Sequence, residues 1–250
     1  MTKEKEERLR KLRSLVGEHD QRYYKDANPT ISDREYDRIK REMEELEQEL
    51  DPLGLFKQET SSNPDESAQE LPEVGDDRLE EFASHRHLVP MLSLDNTYDE
   101  TEFFEFDQRL KKLFDLNELP YVVEPKIDGV AVSVTYLDGV LKSAVTRGNG
   151  IEGDVITQNL KHVSALPFDL PPLPGMPEVL EIRGEIYMSH EEFIRLNDLR
   201  EQAGLPLYAN PRNLAAGTVK LLDPKEASTR KLEIVLYGMG ACTPESCFKT

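Results

Sequence analysis

The sequence predicts an α+β fold: an N-terminal helical hairpin, then a domain of mainly antiparallel sheets with flanking helices. Within residues 3–50 the apolar positions recur at steps of three and four, as in amphipathic helices. From residue 130 onward they alternate with a period of two, as in half-buried strands. Hairpins and long crossovers are mixed, and this favours antiparallel sheet over a regular alternation of strands and helices.

Two helices are expected in the N-terminal segment. The first covers residues 3–26 and is ended by Asn28-Pro29. Ser32 then caps a second helix, Glu35 completes a Ser-x-x-Glu capping box, and the apolar face runs on to Leu50. One face of this second helix is almost wholly charged, so the pair needs a partner surface for the other face.

The middle of the chain changes character twice. Residues 57–78 are rich in Ser, Glu, Asp and Pro without a clear period, which indicates a linker. Residues 99–114 return to helical spacing, with Phe and Leu on one face.

The remaining elements are mostly strands. Residues 130–137 and 140–146 read as two arms of a hairpin, joined by a type I′ turn at Asp138-Gly139. Residues 180–188 form another alternating strand, and a helix capped by Ser189 follows it as far as Gly204. Residues 232–237 form a further strand.

Composition limits the classes of function. The formal net charge is −18, which argues against strong nucleic-acid binding by this chain alone. No apolar run approaches the length of a membrane span, and the N-terminus lacks the apolar region of a signal peptide. Cys242 and Cys247 are not spaced as a redox or zinc motif, so we expect reduced thiols in a cytoplasmic protein. We also expect a monomer without a membrane partner.

The strongest chemical signal is the stretch Glu124-Pro125-Lys126-Ile127-Asp128-Gly129. Apolar residues flank Lys126 on both sides, so we expect it to be partly buried at a strand end. An amine attacks only in its neutral form, and burial or neighbouring charge favours that form. Asp128 and Glu124 alternate onto the same face, and Gly129 allows a close approach of ligand or backbone. The plainer alternative is a strand end carrying a surface ion pair.

Other strand ends add groups to this pocket. Arg147 follows the second arm of the hairpin, Glu185 lies in Arg183-Gly184-Glu185 on a later strand, and Tyr237 closes the last strand. The order and type of these elements resemble the nucleotidyltransferase superfamily of DNA ligases, RNA ligases and capping enzymes. The resemblance implies that Lys126 attacks the α-phosphorus of a nucleotide and forms a lysine-linked nucleoside monophosphate.

The N-terminal hairpin narrows the resemblance. Tyr23-Tyr24 followed by Asp33-x-x-Tyr36-Asp37 is similar to the module found in NAD-dependent DNA ligases of the bacterial type, which grips the nicotinamide mononucleotide (NMN) half of NAD. Taken alone, the same residues fit a helix N-terminus with acids favoured by the helix dipole and Tyr36 in the core. Further matches are Pro90–Asn96, where the family places Ser93 and Leu94 at the adenosine site, and Ala209–Gly217, which carries Arg212.

The resemblance implies a set of nucleotide-binding residues around a catalytic Lys126 and assigns no protein ligand for a metal. The binding residues are Tyr23, Tyr24, Asp33, Arg34, Glu35, Tyr36, Asp37, Ser93, Leu94, Glu124, Asp128, Arg147, Glu185, Arg212 and Tyr237.

The implied function is the adenylation step of an NAD-dependent DNA ligase, with NAD as AMP donor and Mg²⁺ as cofactor. AMP would later pass to a DNA 5′-phosphate, with nicked DNA held mainly by domains outside this sequence. We expect residues 1–56 to form the NMN-binding subdomain, 57–78 a linker and 79–250 the nucleotidyltransferase subdomain, incomplete at its C-terminal end. Such an N-terminal part of a ligase should bind NAD, adenylate itself weakly or not at all, and seal no nicks.

Two alternatives belong to other classes. Gly148-Asn149-Gly150-Ile151-Glu152-Gly153 fits the G-x-G-x-x-G pattern of dinucleotide-binding dehydrogenases, with Asp169 as a possible ribose-binding acid. The preceding strand is the second arm of a hairpin, and the proline-rich residues 166–177 do not continue a βαβ unit, so this reading is disfavoured. The other alternative is a non-catalytic nucleotide-binding module.

Three positions depart from the family pattern. Asn149 and Val155 stand where the family usually has acids, and the loss of those acids is expected to loosen either the loop after Arg147 or a DNA contact. Lys220 stands where the family tends to have Arg, which keeps the charge but loses the bidentate fork.

Overall fold

The computed structural model describes residues 2–22, 30–50, 78–79, 81–94, 96–161, 163, 165–172 and 174–244. The helices are α1 (Thr2–Asp20), α2 (Asp33–Leu50), α3 (Glu100–Phe114), α4 (Thr157–Leu160), α5 (His190–Gln202), α6 (Pro211–Val219) and α7 (Pro224–Ala227). The strands are β1 (Ser84–Arg86), β2 (Val130–Leu137), β3 (Val140–Thr146), β4 (Glu152–Asp154), β5 (Val179–Tyr187) and β6 (Glu233–Thr243). This is the α+β arrangement that the sequence predicts.

Helices α1 and α2 pack as the predicted hairpin. Leu9, Leu12 and Val16 of α1 are buried, as their helical spacing requires. Opposite charges face each other across the pair, as in the bidentate bond from Arg8 to Glu42 at 2.7 and 2.8 Å. The linker predicted at 57–78 lies outside the described residues except for Arg78.

A four-stranded antiparallel sheet, in the order β3-β2-β5-β6, forms the centre of the second part of the chain. Its turn at Asp138-Gly139 has φ values of 50° and 81°, as the predicted type I′ hairpin demands. One face of the sheet carries the hydrophobic core. That core gathers residues of β2, β5 and α6, among them Val132, Val134, Ile186, Leu214 and Val219.

Caps fix the helices that cover this face. Ser189 Oγ accepts the Glu192 amide at 3.4 Å and starts α5, and Gly204 follows that helix with φ 67°. Asn210 Oδ1 accepts the Asn213 amide at 2.7 Å and starts α6.

The opposite face of the sheet is polar and holds the candidate site. Because side chains alternate along β5, Glu181, Arg183 and Glu185 all point away from the core. The short sheet of β1 and β4 lies beside it, an element that the sequence did not predict. The segment after β1 is tied to this side by the bonds from the His87 amide to Ile151 O and from the Met91 amide to Gly150 O, at 2.9 and 2.8 Å.

The expected burial of Lys126 at a strand end is wrong. Strand β2 begins only at Val130, and residues 117–128 run as an exposed connection in which Val122 and Val123 are 88% and 93% exposed. Pro125 explains the difference, since it has no N–H for a ladder and restricts the residue before it. Lys126 therefore projects from an exposed loop.

One further boundary differs from expectation. The last strand, predicted over residues 232–237, continues past Tyr237 to Thr243. Within the described ranges, no helix combines the length and apolar character needed to cross a bilayer.

Candidate functional site

Glu185 lies at the centre of the polar face. It is half-buried on β5, and the backbone amide of Gly129 donates a hydrogen bond to its carboxylate. Burial raises the pKa of Glu185, while the charges of Arg212, Lys126 and Arg147 and the Gly129 bond act in the opposite direction. The charges of three cations from three separate segments thus act on one carboxylate.

The loop carrying Lys126 is fastened on both sides. Arg212 Nη1 of α6 donates to Asp128 Oδ1 at 2.7 Å. A Cβ added to Gly129 would overlap the Ile186 carbonyl, so only glycine allows this approach to β5. Lys126 is held at its base while its side chain stays accessible.

Arg147 connects the sheet to the segment after β1. Its backbone amide donates to Ala131 O at 3.1 Å, and its Nη1 donates to Ser93 Oγ at 3.4 Å. Leu94 is 77% exposed beside Ser93, and Glu124 is exposed two residues before Lys126. Ser93 and Arg147 thus lie together.

A β-bulge of β6 falls at Tyr237. Gly184 pairs with Leu236 while Arg183 pairs with Gly238, which leaves Tyr237 as the extra residue of β6. The residue is 52% exposed. Partial desolvation raises the pKa of Tyr237, and the charge of Glu185 raises it further, so the two groups are close enough to interact although the strand does not end at Tyr237.

The hairpin residues make a separate group of contacts. Tyr36 donates to Asp20 Oδ1 at 2.6 Å, within the hairpin. Asp37 accepts hydrogen bonds from Asn96 Nδ2 at 2.7 Å and from the Tyr98 hydroxyl, so it links α2 to the segment before α3.

Two more predicted residues lie near this junction. The Arg34 guanidinium lies 5.7 Å from the Tyr98 ring centroid, and the Glu35 amide donates to Ser32 O at 3.0 Å. Tyr23, Tyr24 and the side chain of Asp33 lie outside the described residues.

The glycine pattern of the dehydrogenase alternative is a turn between antiparallel strands. Gly148 and Gly150 adopt φ values of 58° and 88°, and Asn149 Oδ1 accepts the amides of Ile151 and Glu152, both at 3.0 Å. No βαβ unit surrounds this turn in the described region, so the structure does not support that alternative. The side chain of Asn149 thus organises this turn.

The other two departures have structural roles as well. Val155 donates its amide to Ala83 O at 2.9 Å and bridges to Val145. Lys220 Nζ lies 3.1 Å from Asp154 Oδ2, with both side chains buried. Lys220 thus joins α6 to β4 through a buried ion pair.

The sequence reasoning missed Arg183 as a site residue. Arg183 precedes Glu185 by two positions in an alternating strand, so period-two spacing alone places it on the same face. Its partners, the carbonyls of Val89 and Pro90, are more than 90 residues away in the chain and could not be read from the motif.

Oxygen ligands at the site suit a metal that arrives with its substrate. In the described part of the chain, no group of three or more His, Cys, Asp or Glu residues is arranged as a metal cage. Mg²⁺ often uses one or two carboxylates together with substrate phosphates and water. Asp128 and Glu185 provide such carboxylates beside Lys126.

Comparison with known proteins agrees with this architecture. The family model of the NAD-dependent DNA ligase adenylation domain matches residues 79–250, and that of the DNA ligase-like, N-terminal NAD+-binding domain matches residues 2–53. DNA ligase 1 of Opitutus terrae is 51% identical over 97% of the chain. The DNA ligases of Petrotoga mobilis and Thermotoga maritima are 46% and 44% identical over 92% and 94% of the chain.

The two matched ranges follow the fold, since the helical hairpin lies within residues 2–53 and the four-stranded sheet lies within residues 79–250. The chain belongs to the NAD-dependent DNA ligase family. It spans 35% of the length of the Opitutus relative and 32% of the Petrotoga and Thermotoga relatives.

Proposed function

We propose that this chain carries out the adenylation step of an NAD-dependent DNA ligase, with Lys126 as the nucleophile. The supporting observation is the convergence of Lys126, Arg147 and Arg212 on Glu185. Family membership supplies the donor, since the N-terminal match is to an NAD+-binding domain.

In the reaction, neutral Lys126 Nζ attacks the α-phosphorus of NAD. A nitrogen–phosphorus bond forms, the bond from phosphorus to the NMN phosphate oxygen breaks, and the amine proton passes to solvent. Arg147 and Arg212 offset the charge that builds on the phosphate oxygens, and catalysis rests mainly on position and electrostatics.

The adenylyl half of NAD would lie on the polar sheet face. We assign Ser93, Leu94, Glu124 and Tyr237 to the adenosine, since Ser93 contacts Arg147 and Tyr237 lies beside Glu185. Asp128 and Glu185 would contact the ribose or hold the lysine.

The NMN half would contact the hairpin through Tyr23, Tyr24 and the run from Asp33 to Asp37. This assignment goes with a division of the chain into residues 1–56 for NMN binding, 57–78 as a linker and 79–250 for nucleotidyl transfer. The contacts of Asp37 and Arg34 with Asn96 and Tyr98 support this proposal, because they join the hairpin to residues of the 79–250 part.

Mg²⁺ fits as a companion of the substrate. When bound, it neutralises charge on the phosphates during transfer. Asp128 and Glu185 are the carboxylates of this chain that could hold it or its water ligands.

The later steps would need more than this chain. AMP on Lys126 would pass to the 5′-phosphate of nicked DNA, and the nick would then be sealed. With a net charge of −18, the chain is poorly suited to hold DNA by itself, so other segments would do so.

Intact-mass spectrometry tests the proposal. After prolonged incubation with NAD and Mg²⁺, a small fraction of the protein should gain the mass of one AMP and release NMN, whereas incubation with ATP should give no adduct. Binding of NAD together with Lys126→Ala behaving like the unmodified chain in every assay would favour a non-catalytic module instead.

A further inference from the structure

We propose that Arg183 is a positioning residue for the adenylyl half of the substrate, held in place by the buried Glu181. This inference rests on the proposed function and adds a residue to it. Arg183 acts through the segment of residues 87–94, which joins β1 to the candidate adenosine site.

Arg183 fastens that segment at its middle. Nη2 donates to Val89 O at 2.6 Å, and Nη1 donates to Pro90 O at 3.1 Å. A guanidinium can reach two successive carbonyls because its donors form a rigid planar fork, whereas a lysine ammonium presents a single nitrogen.

Glu181 fixes the guanidinium from behind. Its Oε1 accepts from Arg183 Nε and Nη2 at 3.4 and 3.3 Å, and its side chain is 1% exposed. A charge so thoroughly buried requires a partner, so the pair is held together by the cost of separating it. The orientation of Arg183 is therefore determined by the sheet.

Gly240 makes room for this arrangement. A Cβ added there would lie 2.7 Å from Glu181 Cδ and overlap the carboxylate oxygen. Strand β6 has a second irregularity here, between the partners of Leu180 and Ile182. An alanine at 240 would displace Glu181 without touching the segment that Arg183 holds.

The ends of the segment are fixed by the turn after β3. His87 Nε2 lies 3.0 Å from Arg147 O, and burial lowers the pKa of His87, so a neutral ring donates this bond. Beyond Met91, the side chain of Ser93 meets Arg147 Nη1. Arg183 thus fixes the backbone between two contacts with Arg147, that of His87 and that of Ser93. This part of the segment lies directly before Ser93 and Leu94.

Loss of the Arg183 bonds should weaken binding of only one half of NAD. Moving the Val89–Pro90 backbone shifts Ser93 and Leu94, which we assign to the adenosine, and leaves the hairpin that we assign to NMN unchanged. Substitution of a residue with only a general structural role would weaken the binding of both halves together, because less of the protein would be folded.

The test is calorimetric titration of the chain with NAD, AMP and NMN separately. For Arg183→Gln we expect the Kd of NAD and AMP to rise about tenfold, as for the loss of one to two charge-assisted hydrogen bonds, with the Kd of NMN unchanged. Arg183→Lys should recover little, and Gly240→Ala should shift the Kd of AMP in the same direction.

Arg195→Gln is the matched control. Arg195 pairs with the buried Glu192 at 2.6 Å and donates to a backbone carbonyl, Thr229 O, at 3.3 Å, but it lies on α5. It should leave all three Kd values unchanged.

Two results would overturn the inference: AMP binding to Arg183→Gln at the original Kd, or equal weakening of AMP and NMN. Failure of the unmodified chain to bind NAD or AMP would instead refute the proposed function, and this inference with it.

Discussion

Arg212 of α6 donates a 2.7 Å hydrogen bond to Asp128, a residue 84 positions earlier in the chain. The bond joins the loop of the proposed nucleophile to a helix that packs on the core face of the sheet. Their side chains are 28% and 65% exposed, so solvent weakens the attraction between them. The bond therefore matters less for stability than for position, since it places the charged groups of Arg212 and Asp128 beside Glu185.

The first prediction concerns Arg212→Gln. We expect the free energy of unfolding to fall by less than about 1 kcal/mol, as for other exposed ion pairs, because Asp128 remains hydrated. Formation of the AMP adduct should slow by about tenfold or more, since a cation at the phosphate is lost. Urea titration and a time course of intact mass measure the two effects.

Arg8→Gln serves as its control, because Arg8 also pairs with an exposed carboxylate, that of Glu42. It should change neither adduct formation nor stability appreciably. A loss of stability in Arg212→Gln that accounts for the whole loss of adduct would contradict the prediction.

The second prediction concerns Glu185→Gln and pH. Burial raises the pKa of Glu185, so the folded state keeps its proton to a higher pH than the unfolded chain does. The stability contributed by protonated Glu185 is present below the carboxyl's ordinary pKa and is lost as pH rises through the raised value. Relative to the unmodified chain, Glu185→Gln should therefore gain stability as pH rises from acidic to neutral.

Urea denaturation at several pH values measures this difference. Formation of the AMP adduct should be lost in Glu185→Gln over the whole pH range. At neutral pH the substitution should therefore raise stability and abolish activity. A stability difference independent of pH would show that burial of the charge carries no cost in the folded protein.

The third prediction concerns the buried pair of Lys220 and Asp154. Lys220→Met leaves the Asp154 carboxylate without that cation in a site that is 0% exposed, and should destabilise the fold by about 3 kcal/mol. The same substitution at Lys11, whose pair with Glu7 is exposed, should cost less than about 1 kcal/mol. Equal urea midpoints for the two variants would be inconsistent with a structural role for Lys220.

Local patterns predicted the elements of the fold well. Positive φ at Asp138 and Gly139 follows from a dipeptide that favours a type I′ turn, and Ser189 and Asn210 are strong helix caps. The strands β2 and β5 were recognisable because one face of each is buried.

The exposure of Lys126 shows where pattern reading failed. Apolar neighbours predicted burial, but Pro125 interrupts the ladder and the strand starts three residues after Ile127, at Val130. An apolar sequence indicates a strand only where its backbone N–H groups can donate hydrogen bonds to a neighbouring strand.

Long-range contacts were beyond the sequence for a different reason. The bonds from Arg183 to Val89 and Pro90, and the bulge that places Tyr237, depend on strand register and on a crossing of distant segments. No local propensity encodes these distances. Lys220 likewise gained its role from Asp154, a partner that only the fold provides.

The most direct test of the central claim is peptide mapping of the adduct after incubation with NAD and Mg²⁺. We predict AMP on the peptide containing Lys126, its loss in Lys126→Arg, and its retention in Lys142→Arg, which alters an exposed lysine of β3. AMP on another residue, or an undiminished adduct in Lys126→Arg, would contradict the assignment of Lys126 as the nucleophile.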